Sequence, residues 1–206
     1  CFSQGSRKVI LFVGRLAEKK GVTYLIDAMN YVDARLVIVG SGPLESELRD
    51  QAKPLREKIQ FLGARTHEEL KTIYASADVF AAPSVTAKDG DKEGFGLVIL
   101  EAMASGLPVA ASRSGGIVDI IRDGENGLLS DERNVWQLAD NLSTLLDDAA
   151  LYKKLSENAL ETARQFDYEV IAEKYAQLFE KGQTGVLENE RDCTELHLSE
   201  QKPCRR

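Results

Sequence analysis

Cysteine and histidine are scarce in this chain, and each scarcity removes a class of protein. The three cysteines, Cys1, Cys193 and Cys204, stand at the two ends of 206 residues without C-x-x-C spacing. That pattern excludes a disulfide framework and a structural zinc cluster, and it points to a reducing compartment. Two histidines, His67 and His197, leave little material for a Ser-His-Asp or Cys-His catalytic centre. No apolar run approaches the roughly 18 residues that a membrane-spanning helix needs. The opening CFSQGSRKVILFVG sets its charges directly before a short strand-like run, unlike a cleavable signal. Basic charge is also in deficit: 26 Lys and Arg face 33 Asp and Glu, for a net charge of −7. A nucleic-acid partner is not expected, because phosphate neutralisation needs a clustered basic face. No G-x-x-x-x-G-K-[ST] occurs, which excludes a P-loop NTPase. With 43% hydrophobic and 29% charged residues, what is left is the composition of an ordinary globular domain, expected to be soluble and cytoplasmic.

Short apolar runs alternate with longer amphipathic ones, the pattern of βαβ units feeding a parallel sheet. Strands are expected at Val9 to Val13, Arg35 to Val39, Ile59 to Leu62, Asp78 to Ala82, Pro108 to Ala111 and Gly127 to Leu129. Several lack polar alternation, as strands covered on both faces do. Helical spacing marks Val22 to Met29, Leu44 to Lys53, His67 to Ala75 and Leu97 to Ala104, and Thr66 with Glu69 forms a capping box. The expected fold is α/β, a doubly wound parallel sheet of Rossmann-like type. From Asn134 onward the pattern is helical only, with Val135, Leu138, Leu142, Leu145 and Leu146 on one face, then Leu151, Leu155 and Ala159, then Ile171, Tyr175, Leu178 and Phe179. Residues 1–8 read as a linker remnant, 9–182 as the domain and 183–206 as a polar tail.

Four segments carry candidate chemistry. FVGRLAEKKG runs off the first strand through Gly14 into a loop with Arg15, Lys19 and Lys20, ahead of a helix that begins near Gly21. Strand ends and helix N-termini suit a phosphate, although three loop cations also occur as plain solvated charge. VIVGSGPLESEL resembles a dinucleotide fingerprint only superficially. Its third glycine position is Glu45, so a tight turn opening a helix is the preferred reading. In EGFGLVILEAMASGLPV, the stretch Leu97 to Ala104 has one polar residue, Glu101, on a helix apolar all round and therefore expected to be buried. A carboxylate there needs either an internal donor or a ligand's hydroxyls. Gly94, Phe95 and Gly96 expose backbone N–H groups ahead of that helix, with Glu93 at the mouth of the same cleft. Ser114, Gly115 and Gly116 form one more glycine loop after the fifth strand. The upstream AKDGDKEG opens like a calcium loop, but its twelfth position is Leu100 and Glu101 falls one place late, so no metal site is expected.

Together GRLAEKKG, GSGP, EGFGLVILEAMASGLPV and SGGIVDIIRDGENGLL resemble the donor-binding C-terminal half of the large retaining glycosyltransferase family of GT-B fold, often called group 1 or family 4. Glu93 and Glu101 stand in that family's E-x7-E arrangement, and the likeness runs from about Val9 to Phe179. The resemblance implies a transferase that moves a sugar from a nucleoside diphosphate sugar to a saccharide or lipid-linked acceptor, in polysaccharide or glycolipid biosynthesis, with no cofactor. Arg15 and Lys20 would contact the diphosphate and stabilise the leaving group, and Glu93 would orient the donor sugar. Gly14 and the backbone amides of Gly94, Phe95, Gly96, Leu97 and Val98 would surround sugar and phosphate. Glu101 would accept from the ribose, and Arg65 would lie near the base. The N-terminal acceptor domain of complete members is expected to be missing here, and any peripheral membrane contact would come through it. A non-catalytic nucleotide-sugar-binding module and a GT-B-like sugar-nucleotide epimerase are the alternatives. SVTAKDGDKEGFG is longer than the compact PSxxEGFG form, and Asp119 stands where the family often has Glu.

Overall fold

A computed structural model describes residues 7–167, 169, 170, 172 and 173. Residues up to Arg164 form one compact unit. A second unit begins at Gln165, and its described part is limited to the last few of those residues. The expected linker remnant up to residue 6, the face formed by Ile171, Tyr175, Leu178 and Phe179, the boundary at 182 and the tail 183–206 lie outside the described residues.

The strands are β1 (Val9–Val13), β2 (Arg35–Val39), β3 (Ile59–Gly63), β4 (Val79–Ala82), β5 (Val109–Ser112) and β6 (Leu128–Ser130). They pair in parallel in the order β3-β2-β1-β4-β5-β6. The helices are α1 (Val22–Ala28), α2 (Glu45–Ala52), α3 (His67–Tyr74), α4 (Leu97–Ala104), α5 (Ile117–Ile120), α6 (Val135–Asp147) and α7 (Ala149–Gln165). The doubly wound sheet is thus as the alternation of patterns predicts, with element ends displaced by a residue or two.

Every side chain of β1, β4 and β5 is buried, as continuous apolar runs require once crossover helices cover both faces. β3 is an edge strand and keeps Gln60 exposed. From β1 the chain winds one way through β2 and β3, then returns to start β4 on the other side of β1. Right-handed crossovers therefore place α1 and α2 on one face and α4 on the other. Leu25, Ile26 and Met29 of the α1 segment pack with Leu138, Leu142 and Leu145 of α6 against Ile10, Leu36 and Ile38. Full burial of each such side chain contributes about 1.5 to 3 kcal/mol.

Helix ends follow local chemistry. The Thr66 hydroxyl accepts from the Glu69 N–H at 3.3 Å and the Glu69 carboxylate accepts from the Thr66 N–H at 2.8 Å, so the capping box forms. Asn134 caps α6 by accepting from the Gln137 N–H at 3.1 Å. Asn126 closes the turn before β6. Its side chain accepts from the Arg122 N–H at 2.7 Å and donates to the Ile120 carbonyl at 3.0 Å and the Thr162 hydroxyl at 2.9 Å.

Candidate functional site

A doubly wound sheet has a crevice outside the carboxyl ends of its strands where the winding reverses. Here that point lies between β1 and β4. The loop leaving β1 is shaped by its backbone. The Gly14 N–H donates to Val39 at 3.0 Å, the Leu16 N–H to Ser41 at 2.9 Å, and the Leu44 N–H returns to Leu16 at 3.0 Å. The GSGP segment is therefore a tight turn clasped against the first loop, as its non-fingerprint residues predict.

Past this clasp, Glu18–Lys20 forms a 3-10 turn that the amphipathic pattern did not announce. The turn sends its cations to different places. Lys19 pairs with Asp91 at 3.0 Å, and its carbonyl accepts from the Val85 N–H at 2.8 Å. Lys20 forms an ion pair with Glu93 across the crevice, with 15% and 11% of the two side chains exposed. The Ser84 hydroxyl, just after β4, donates to the same Glu93 oxygen at 3.4 Å. Arg15 is exposed, and its guanidinium has no ion pair or hydrogen bond among the described residues. The three cations thus do not share one anion: Lys20 is a held charge and Arg15 an available one.

The glycine loop after β5 closes the other side. The Gly116 N–H donates to the Glu93 carbonyl at 3.1 Å. Gly115 has φ +51°, and a Cβ there would lie deep inside van der Waals contact of that carbonyl oxygen. Ser114–Gly116 therefore fixes the backbone of Glu93. Gly96 opens α4 without a side-chain cap, so the first N–H groups of that helix face the crevice end with no side-chain acceptor.

Glu132, beyond β6, holds the loop after β4. Its two oxygens accept from the Thr86 N–H and hydroxyl, each at 2.8 Å, and Arg133 donates to the Thr86 carbonyl. Burial opposes the charge on Glu132. The Thr86 donors and Arg133 outweigh it and hold the carboxyl below the usual carboxylate range. A lowered folded pKa adds stability that is present above the unfolded value and lost as pH falls through the folded one. Glu132→Gln is accordingly expected to melt a few degrees below wild type at neutral pH, for about 1 kcal/mol of lost hydrogen bonding. The gap is expected to close as pH falls below the ordinary Glu value of about 4.3; calorimetric melts across pH 3 to 7 check it.

The carboxylate of the second glutamate is placed differently from its sequence reading. α4 is not buried all round: Ile99, Ala102 and Met103 face the sheet, whereas Leu97 is 65% exposed and Ala104 is exposed. The helix packs on one face of the sheet, against β4 and β5, so only one side is covered. Glu101 sits half-buried on that helix and is not alone. The Tyr74 hydroxyl donates to its Oε2 at 2.9 Å.

Arg65 follows β3 and is held locally, donating to the Leu62 carbonyl at 2.9 Å and pairing with Glu69 at 3.2 Å. Phe95 and Leu97 expose their side chains. Asp91 is engaged by Lys19, and among the described residues no group of three His, Cys, Asp or Glu is disposed to hold a metal. Sequence reading missed Ser84, Thr86, Tyr74 and Glu132. None has a motif: Ser84 and Thr86 lie in the loop after β4, Tyr74 ends α3 and Glu132 follows β6.

Comparison with known proteins agrees with this geometry. The family described as glycosyl transferases group 1 matches residues 2–162. An uncharacterized glycosyltransferase of Methanocaldococcus jannaschii is 41% identical over 162 residues, covering 76% of this chain and 40% of that protein. The D-inositol 3-phosphate glycosyltransferase of Corynebacterium glutamicum is 38% identical over 185 residues, covering 84% of this chain and 43% of the relative. Among solved structures, Anabaena HepE in complex with UDP superposes with a TM-score of 0.75 at 30% identity, over 85% of this chain and 49% of that one. HepE has also been solved with UDP-glucose. The chain spans less than half the length of these relatives. The parallel sheet reversing between β1 and β4 and the family match agree: the chain belongs to the group 1 glycosyl transferases.

Proposed function

We propose that this chain forms the nucleoside-diphosphate-sugar-binding half of a retaining glycosyltransferase that transfers the sugar to a saccharide or lipid-linked acceptor. The observation that carries the reading is the Lys20–Glu93 ion pair at the switch point, beside the uncapped N-terminus of α4. In the reaction, the bond between the anomeric carbon and the diphosphate oxygen breaks and its electron pair stays on that oxygen. The acceptor hydroxyl makes the new bond to that carbon and its proton passes to the departing diphosphate.

Charge therefore grows on the diphosphate, and groups already aimed at it lower the barrier. Lys20 and the available Arg15 supply the positive charge, Gly14 lets the loop backbone approach, and the amides from Gly94 to Val98 add hydrogen bonds. Glu93, steadied by Lys20 and Ser84, accepts from the donor sugar's hydroxyls. Glu101 accepts from the ribose, and Arg65 borders the base. The acceptor is bound, in this reading, by the further length that the relatives possess.

Calorimetric titration of the 206-residue chain with UDP, GDP and ADP, with and without chelator, tests the proposal. Binding of at least one diphosphate is expected, unchanged by chelator because two cations neutralise it. No binding to any of the three overturns the reading. A large loss of affinity in chelator, with the chain still folded, overturns the metal-independent part and makes Asp89 and Asp91 the first ligands to test.

A further inference from the structure

Tyr74 ends α3, a helix whose exposed side carries His67, Glu68 and Lys71, and only 3% of it is accessible. Its ring packs against Phe80 of β4, with centroids 6.0 Å apart. The hydroxyl meets two oxygens of α4, the Val98 carbonyl at 3.5 Å and Glu101 Oε2 at 2.9 Å. A phenol has one proton to donate, and the shorter distance and the charge of the acceptor assign it to Glu101.

We infer that Tyr74 is a positioning residue that turns the Glu101 carboxylate and occupies one of its oxygens, leaving Oε1 as the single acceptor presented to the ribose of a bound nucleotide. This rests on the reading of Glu101 given above and adds a second residue to it. Three features make the arrangement directional. Glu101 Oε1 has no hydrogen-bond partner among the described residues, so the two carboxylate oxygens are not equivalent. The Tyr74 ring is held by burial on all sides and not by Phe80 alone, so its hydroxyl does not follow the carboxylate if Glu101 changes rotamer. Burial, and then the hydrogen bond and charge of Glu101, push the phenol well above its ordinary pKa, so it stays a donor at every working pH. A carboxylate free to rotate would lose that torsional freedom on meeting a hydroxyl, whereas one already held loses little.

The test compares wild type, Tyr74→Phe and Phe80→Leu, each titrated with UDP and 2′-deoxy-UDP and with GDP and 2′-deoxy-GDP, alongside thermal melts. Tyr74→Phe keeps the ring and removes only the hydroxyl. It is expected to cut the preference for the ribose form by about 3- to 10-fold, the value of one net hydrogen bond. Phe80→Leu loosens the same packing and lowers the melting temperature, yet is expected to keep the preference because the hydroxyl remains. A ribose preference unchanged in Tyr74→Phe overturns the inference while the reading of Glu101 stands. An equal loss in both variants shows that Tyr74 acts through packing alone and also overturns it. A wild-type chain that binds both forms equally overturns the reading of Glu101 and the inference with it.

Discussion

Gly115→Val is expected to lower the melting temperature of this chain by about 10 °C and to remove its binding of nucleoside diphosphates. Two costs add at this position. The φ of +51° lies in the left-handed region, where a β-branched residue is strongly disfavoured, for about 1 to 3 kcal/mol. A Cβ also drives into the Glu93 carbonyl oxygen, which cannot move aside because it accepts from the Gly116 N–H at 3.1 Å. Overpacking against fixed backbone costs about another 1 to 3 kcal/mol. In a domain of this size, each kcal/mol shifts the melting temperature by about 2 to 4 °C. The displaced group is the backbone of Glu93, so the substitution moves the crevice itself. Gly90→Val is the control: its φ of +86° carries similar strain, but nothing lies within 4 Å of a Cβ there. Calorimetric melts of the two variants should differ clearly, and equal shifts would show that the close approach at Gly115 is not what requires glycine.

The second large effect belongs to the cations. Lys20→Ala is expected to weaken diphosphate binding by about 10- to 150-fold, the value of one charge-assisted hydrogen bond. It is also expected to destabilise the chain, because the Glu93 side chain, 11% exposed, is left among the described residues with only the 3.4 Å contact from Ser84. These two consequences separate in the double variant Lys20→Ala/Glu93→Gln, which removes the stranded charge. Its melting temperature should recover most of the loss while the diphosphate affinity stays low. Arg15→Ala offers the opposite signature: an exposed guanidinium without a partner among the described residues contributes nothing measurable to stability. Its removal should leave the melt unchanged and weaken binding by about 10-fold at low salt, less as screening rises. Binding restored along with stability in the double variant would show that Lys20 serves the fold and not the ligand.

Much of the fold was legible because each strand carries its own signal. Val9–Val13 has the limits its apolar run indicates, since a strand buried on both faces has no polar residue until it leaves the sheet, and Arg35–Val39 breaks that run only at its half-buried first residue. The capping box at Thr66 was legible for a similar reason, being complete within four residues. The turn Glu18–Lys20 was not. A 3-10 turn leaves no periodicity, and its position is set by the Val85 N–H, from another loop, donating to the Lys19 carbonyl.

The candidate site divides in the same way. Its residue types were present in the sequence: Arg15, Lys20, Glu93 and Glu101 in their order, and the glycines that let backbone approach backbone. Which charge meets which was not, because pairing depends on where the βα loops converge. Three neighbouring cations read alike, as phosphate ligands or as solvated charge, whereas packing gives Lys19 to Asp91 and Lys20 to Glu93 and leaves Arg15 open. Glu101 read as a lone carboxylate on a helix apolar all round, whereas α4 covers one face of the sheet and leaves Leu97 in solvent. Its partner Tyr74 is 27 residues away on α3. By itself, the sequence determined the strand order's raw material, the helix faces, the turn glycines and the family. The tertiary structure alone decided which oxygen of Glu101 is occupied, which cation is held and which glycine admits no side chain. Local signals specify conformation residue by residue, but a hydrogen bond between distant segments exists only once the sheet has set their separation.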